Sequence, residues 1–201
     1  DLMDIQSPTV LIGSSSPAFD SFTWDDIKGV QSAVSHLVSK GHTYICMIRS
    51  AVESETQRNR IEGFKLALEE AGIAYNSRFV VSGNPTYHAG YSEEDGYDAM
   101  KTILNEHSAC TAVVASSDVQ AIGALAAIKE AGLKTPSDIA VIGYFDIKTS
   151  RFIGLSSVNQ GIQQIGFSAA KKLHDRICGT LLGPAEHIIF EPKLEIRASS
   201  H

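Results

Sequence analysis

From about residue 25 onward the chain alternates helix-period stretches with short apolar runs, and a glycine closes most of the helix-period stretches. This alternation constrains the fold more than any other feature. Short strands buried on both faces and separated by amphipathic helices assemble as a parallel sheet with helices on either side. Ile27, Val30, Val34 and Leu37 recur every three or four residues and stop before Gly41, which readily takes the left-handed cap conformation, so a helix is predicted over 26–39. Residues 44–48 read as a buried strand, followed by a polar loop over 49–57. Ile61, Phe64, Leu68 and Ala71 form the next stripe, ended by Gly72, and 79–81 a second strand. Tyr97, Met100 and Leu104 mark a helix, 111–115 a strand, Ile122, Leu125 and Ile128 a helix ended by Gly132, and 139–142 a fourth strand. The expected fold class is α/β, a doubly wound parallel sheet.

The two ends of the chain break this rhythm. Residues 9–12 read as an isolated strand before a polar loop over 14–23, and 155–160 as a short strand. Ile162, Ile165, Ala169, Leu173 and Ile177 make a long amphipathic helix before Gly179 that needs a further surface to cover its stripe. The ends therefore look like pieces of a second, incomplete layer. The stripe Ile162, Ile165, Ala169 and Leu173 is expected to be less covered than that of a core helix.

Composition narrows the function. Seventeen Lys+Arg against 23 Asp+Glu leave a net charge of −6 over 201 residues, which argues against a surface built to neutralise phosphates. The apolar runs are too short for a membrane span, and residues 1–5 lack the basic and apolar segments of a secretory signal. Cys46, Cys110 and Cys178 are odd in number and far apart, so they read as reduced, packing thiols of a cytoplasmic protein. No P-loop, HExxH, GxSxG elbow or GxGxxG fingerprint is present, and the serines at 14–16 and 156–157 lie on no strand-to-helix elbow. His36 and His42 are six apart with Gly41 between them, which does not suit a shared metal. No enzyme activity, cofactor or metal is expected. Ser117 with Gln120 fits a helix capping box, and the same loop with Asp118 lies at the carboxyl end of a parallel strand, where doubly wound sheets bind ligands.

The stretch Ser116-Ser117-Asp118-Val119-Gln120-Ala121-Ile122-Gly123-Ala124, continued by Lys134-Thr135-Pro136-Ser137-Asp138-Ile139-Ala140-Val141-Ile142-Gly143-Tyr144, resembles the lactose-repressor (LacI/GalR) family of bacterial transcription regulators. Leu37-Val38-Ser39-Lys40-Gly41-His42, Arg60-Ile61-Glu62-Gly63-Phe64 and Leu155-Ser156-Ser157-Val158-Asn159-Gln160 extend the resemblance over nearly the whole chain. It implies a periplasmic-binding-protein-like core of two α/β lobes with an effector in the cleft, one lobe complete and part of a second present. On that plan 1–24 belongs to the N-terminal lobe, 25–156 is the effector-binding C-terminal lobe, 157–185 is the return crossover and helix, and 186–201 a terminal strand packing on the C-terminal lobe. The implied function is effector binding and dimerisation, controlling DNA through a headpiece absent from these residues. Operator binding by these residues alone is not expected, and a homodimer is. The Ala-rich face of helix 119–131 and the segment after Asp146 are its implied contributors. A periplasmic-type solute receptor of the same fold is the alternative.

Site residues follow from the resemblance one by one. Arg60 matches the arginine that reaches the effector, and Tyr91, five residues before Gly96, the aromatic ring that stacks on it. Thr56, on the loop leading to Arg60, Ser117 beside Asp118, and Gln160 on the crossover are further contacts, and Asp25 matches an acidic hinge position. Two positions depart from the family. Where Gly-Tyr-Asp-Asp is usual, this chain has Gly143-Tyr144-Phe145-Asp146, and a strand that often ends in aspartate ends Ile12-Gly13. A polyol deprived of these acceptors would leave buried hydroxyls unpaired at roughly 1–3 kcal/mol each. A more apolar or aromatic effector suits Phe145, as does a cleft controlled by a partner protein.

Overall fold

Strand β3 (Ile45–Arg49) sends Ile45 and Met47 into one core and Cys46 and Ile48 into another, all of them fully buried. A strand with two apolar faces needs helices on both sides. The structure, a computed structural model, describes residues 7–83 and 90–201; residues 1–5, read above for a signal segment, lie outside them. The chain forms two units, one of residues up to Asp25 with Gln160–Pro192, the other of Asp26–Asn159 with Lys193–His201.

In the larger unit, β3, β4 (Val80–Ser82), β5 (Ala112–Ala115), β6 (Ala140–Tyr144), β7 (Ser156–Asn159) and β9 (Lys193–Glu195) form one sheet in the order β4-β3-β5-β6-β7-β9. Every pairing is parallel except that of β9 with β7. Helices α1 (Asp26–Ser39) and α2 (Glu55–Glu70) cover one face through Val30, Val34, Leu37, Phe64 and Leu68. Helices α3 (Glu93–Glu106) and α4 (Asp118–Glu130) cover the other through Met100, Ile103, Ala124 and Ile128. Burying each large apolar side chain contributes about 1.5–3 kcal/mol, so these two clusters dominate the stability of the unit.

Glycines set how closely the helices approach. A Cβ on Gly123 of α4 would stand 1.8 Å from the Glu93 carbonyl oxygen, and one on Gly96 of α3 would stand 2.0 Å from that of Gln120. The two backbones are in contact. Ala121, Ala124 and Ala127 are buried within the chain for this reason, and Ile122 and Leu125 are only partly buried. Ala121, Ala124 and Ala127 thus face inside the unit, while Ala126 stays exposed. A short helix, α5 (Lys148–Ile153), which the periodicity does not announce, follows β6 and ends at Gly154 with φ +71°.

In the smaller unit, β1 (Val10–Ile12), β2 (Asp20–Trp24) and β8 (His187–Phe190) pair in parallel in that order. The strand at 10–12 is therefore not isolated, and the loop expected over 14–23 contains β2. Polar residues hid that strand. Asp20 is buried because Arg176 clasps it at 2.7 and 3.0 Å and the Glu186 N–H donates to it at 2.8 Å; Ser21 Oγ bonds His187 Nδ1 at 2.8 Å. The hydrogen bonds from Arg176 hold the Asp20 carboxyl below its ordinary pKa. The stretch 186–201 is likewise not one strand on the larger unit: β8 pairs with β2, and only the part from Lys193 belongs to the larger unit. On α6 (Ile162–Ile177), Ile165 and Ala169 are buried against Phe22, whereas Ile162 stays half exposed and Leu173 partly buried. Cys46 and Cys110 pack in the core, while Cys178, expected to do the same, is exposed.

Alanine at an exposed interior helix position stabilises by about 1 kcal/mol over glycine. At Gly123 the sign is expected to reverse. Gly123→Ala should cost roughly 1–3 kcal/mol of unfolding free energy in a denaturant titration, because the methyl has no room.

Candidate ligand site

Because β3, β5 and β6 run in parallel, their carboxyl ends meet along one edge of the larger sheet, the edge where open α/β sheets place ligands. Arg60 is the side chain around which this edge is built. It is fully buried, on the first turns of α2, a helix capped by Ser54 Oγ accepting from the Gln57 N–H at 3.1 Å. Its Nε donates to Asp26 Oδ1 at 2.8 Å and its Nη1 to the Ser116 carbonyl at 2.6 Å. The guanidinium carbon lies 3.9 Å from the centre of the Tyr144 ring and 4.9 Å from that of Phe145, within cation–π range of both. Its Nη2 is buried with no hydrogen-bond partner. Burial pushes the Tyr144 phenol well above the usual tyrosine pKa.

A second network runs from Ser116. Its Oγ donates to Gln57 Oε1 at 3.3 Å, and Gln57 Nε2 donates to the Tyr91 hydroxyl at 2.5 Å. Ser117 caps α4 by accepting from the Gln120 N–H at 3.3 Å. The Gln120 side chain does not return to the Ser117 backbone as a capping box would. Instead it accepts from Ser117 Oγ and donates to the carbonyls of Arg49 and Gly90, fixing the chain just before Tyr91.

Asp118 stands fully buried beside Ser117 with three donors on its carboxylate: Ser157 Oγ at 2.6 Å, Ser150 Oγ at 2.7 Å and the Ile147 N–H at 2.7 Å. It joins α4 to α5 and β7, and Gly143 is glycine because a Cβ there would lie 2.1 Å from Asp118 Oδ1. Between these elements the chain turns through Phe145 and Asp146, whose φ angles of +100° and +50° are left-handed. Such backbone costs of order 1–3 kcal/mol per residue and persists only where neighbours over-determine it. Here the Phe145 N–H donates to the Val158 carbonyl, the Asp146 N–H to Ser157 Oγ, and Asn159 Nδ2 to Asp146 Oδ2, while Arg197 pairs with the same carboxylate at 2.7 Å.

Tyr91, Ser117, Asp118, Val119, Phe145 and Ile147 together line a hollow of about 190 Å³. Of the eight residues predicted from sequence, Tyr91, Ser117, Asp118 and Phe145 share this hollow, with Arg60 stacked on its Phe145 wall. Thr56 lies inside the first turn of α2, not on a loop before it. Asp25 and Gln160 belong to the smaller unit, where the Asp25 N–H donates to the Phe190 carbonyl and Gln160 is buried with Nε2 unpartnered. Gly13, where the family often has aspartate, has φ +77° and lies against the Trp24 ring, so a side chain there would be strained. Sequence reasoning missed Asp26 and Gln57, and read Gln120 only as part of a capping box. Gln57 carries no signal until its partners are known, and the contacts of Gln120 with Arg49 and Gly90 appear only in the fold.

Burial pushes the Asp118 carboxyl up, against the opposing pull of Ser157, Ser150 and the Ile147 N–H. The folded protein therefore holds the proton more tightly than the unfolded chain. This group's contribution to stability is greatest below about pH 4, and falls as pH rises through the folded pKa. Asp118→Asn should lower stability by about 1–3 kcal/mol at neutral pH, since an amide nitrogen would face a donor. The wild-type minus variant difference measured by denaturant unfolding should shrink between pH 4 and pH 7.

A family model described as "Periplasmic binding protein-like domain" matches residues 34–200. The HTH-type transcriptional repressor PurR of Haemophilus influenzae is 36% identical over 171 residues, covering 83% of this chain and 49% of the repressor. That of Histophilus somni is 36% identical over 179 residues, 87% and 51% of the two chains. This chain thus spans about half the length of the curated relatives it matches. A LacI family transcriptional regulator from Enterococcus faecium, solved with bound ribose, superposes with a TM-score of 0.85 at 30% identity, over 96% of this chain and 70% of that one. The regulator CelR in complex with cellobiose gives 0.82 at 28% identity, over 94% and 58%. With the α/β fold and a hollow at the carboxyl edge of its parallel sheet, this chain belongs to the periplasmic binding protein-like family, as an effector-binding core of the LacI regulator type.

Proposed function

We propose that this chain is the sensing part of a transcriptional repressor, binding a small metabolite at the carboxyl edge of the larger sheet and carrying no catalytic chemistry of its own. The observation that carries the reading is the hollow among Tyr91, Ser117, Asp118, Val119, Phe145 and Ile147, built on the buried Arg60. Tyr91 and Phe145 supply aromatic lining, and Ser117 caps the helix that begins at Asp118. Arg60 Nη2 is a desolvated donor without a protein acceptor, a state that costs about 1–3 kcal/mol and that an acceptor on a ligand would relieve. Asp25, Thr56 and Gln160 are assigned as further contacts on the strength of the resemblance.

A ligand that prefers one arrangement of the protein shifts the population toward it, and in a repressor that shift is read by the DNA-binding segment. DNA recognition is assigned to a segment other than these residues, in keeping with their net charge of −6. We assign it to the cytoplasm, acting as a homodimer, on the strength of the resemblance.

The experiment is a thermal-shift screen of the 201-residue chain against sugars and heteroaromatic metabolites. At least one compound is expected to raise Tm, and the rise should vanish in Tyr91→Ala. A ligand present at about 100 times its Kd stabilises by about 2.7 kcal/mol, well within reach of the method. A panel without any stabilising compound, or stabilisation indifferent to Tyr91, would count against the reading.

A further inference from the structure

Phe145 puts a hydrocarbon ring into the hollow, and the polar atoms of the other walls are already engaged. The three donors on Asp118, from Ser157, Ser150 and the Ile147 N–H, occupy both carboxylate oxygens. Ser117 Oγ accepts from the Gln120 N–H and donates to Gln120 Oε1. The Tyr91 hydroxyl accepts from Gln57 and keeps only its proton to give. Val119 and Ile147 complete the lining with hydrocarbon. A polyol seated here would give up water for walls that offer almost no acceptor among the described residues, so the protons of its buried hydroxyls would go without partners.

We propose that the hollow takes one flat, apolar ring of a ligand, received between Tyr91 and Phe145, and that Phe145 is the residue that selects it over a sugar. The inference deepens the proposed function and rests on it. The volume of about 190 Å³ lies below the roughly 300–1,000 Å³ of whole ligand pockets, which suits a single ring system and leaves polar substituents outside the hollow. The ring of Phe145 is held for this role. Its backbone is fixed in a left-handed conformation by the bond from its N–H to Val158, Arg60 lies over its face at 4.9 Å, and Tyr144 packs against it in a T-shaped contact at 5.6 Å. A rotating phenyl could not present a constant wall; this one is clamped before any ligand arrives. Aromatic pairs prefer offset or edge-to-face contacts at 4.5–7 Å, and two such walls give a flat ring more than its area alone.

The test uses indole as the ring and ribose as the polyol, each titrated into the 201-residue chain and followed by saturation-transfer NMR and calorimetry. Indole is expected to bind the wild type and ribose to bind more weakly. Phe145→Asp introduces an acceptor in a residue type that tolerates left-handed backbone, and should weaken indole about tenfold while strengthening ribose. Tyr91→Ala, outside any helix or strand, should weaken indole by a similar factor. Indole binding that is absent, or unchanged in both variants, overturns the proposal. Ribose binding as tight as indole in the wild type, and lost in Tyr91→Ala, overturns the ring selectivity while leaving the effector-binding reading in place. If neither compound binds, the ring proposal fails, and the wider metabolite screen decides the other.

Discussion

The buried ion pair of Arg60 with Asp26 is the interaction on which the larger unit's ligand edge depends. A guanidinium with no solvent exposure is tolerable only if most of its donors and its charge find partners, and four groups share that task. Asp26 anchors it from α1, the Ser116 carbonyl from the end of β5, and the rings of Tyr144 and Phe145 from the end of β6. A single side chain from α2 thereby fixes the relative positions of one helix and two strand ends. Lysine could not replace it, because the arrangement uses a planar group that bonds along its rim and stacks on its faces.

The strained turn at Phe145 and Asp146 follows from the same construction. The chain passes into or out of the larger unit at 25/26, 159/160 and 192/193. Asp26 holds Arg60 under Phe145, Asn159 donates to Asp146, and Arg197, on the last segment, pairs with Asp146. Asp26 and Asn159, beside two of the passages, and Arg197, on the segment after the third, are therefore tied to the two left-handed residues at the end of β6. Strain is affordable there because so many contacts converge, and the convergence puts an aromatic wall at the mouth of the hollow.

Most of the larger unit was legible in the sequence because its strands are apolar on both faces and its helices carry clear three-and-four stripes. The strand that escaped outright, β2, is one whose buried positions include polar residues. Asp20 and Ser21 sit inside β2 only because Arg176, Glu186 and His187, about 160 residues away, supply partners, and no local pattern announces that. Helix α4 was found, but its core face was misread. Ile122 and Leu125 look like the stripe, whereas the backbone contact through Gly123 makes alanine the buried residue. At the site, Arg60, Tyr91, Ser117 and Asp118 were legible through the resemblance, and Ser117 also as the cap of α4, whereas the protein groups that engage the Asp118 carboxylate were not. Whether a carboxylate is free for a ligand depends on Ser150, Ser157 and the Ile147 N–H, and these meet Asp118 only in three dimensions.

The measurement that bears most directly on this account is a double-mutant cycle on the buried pair, with Arg60→Met, Asp26→Asn and the combined variant unfolded in denaturant. If the pair organises the edge, each single change leaves a buried group stranded and costs about 3–5 kcal/mol, and the combined variant loses clearly less than the sum. Losses that simply add, or single variants as stable as the wild type, would contradict the claim that this interaction holds the site together.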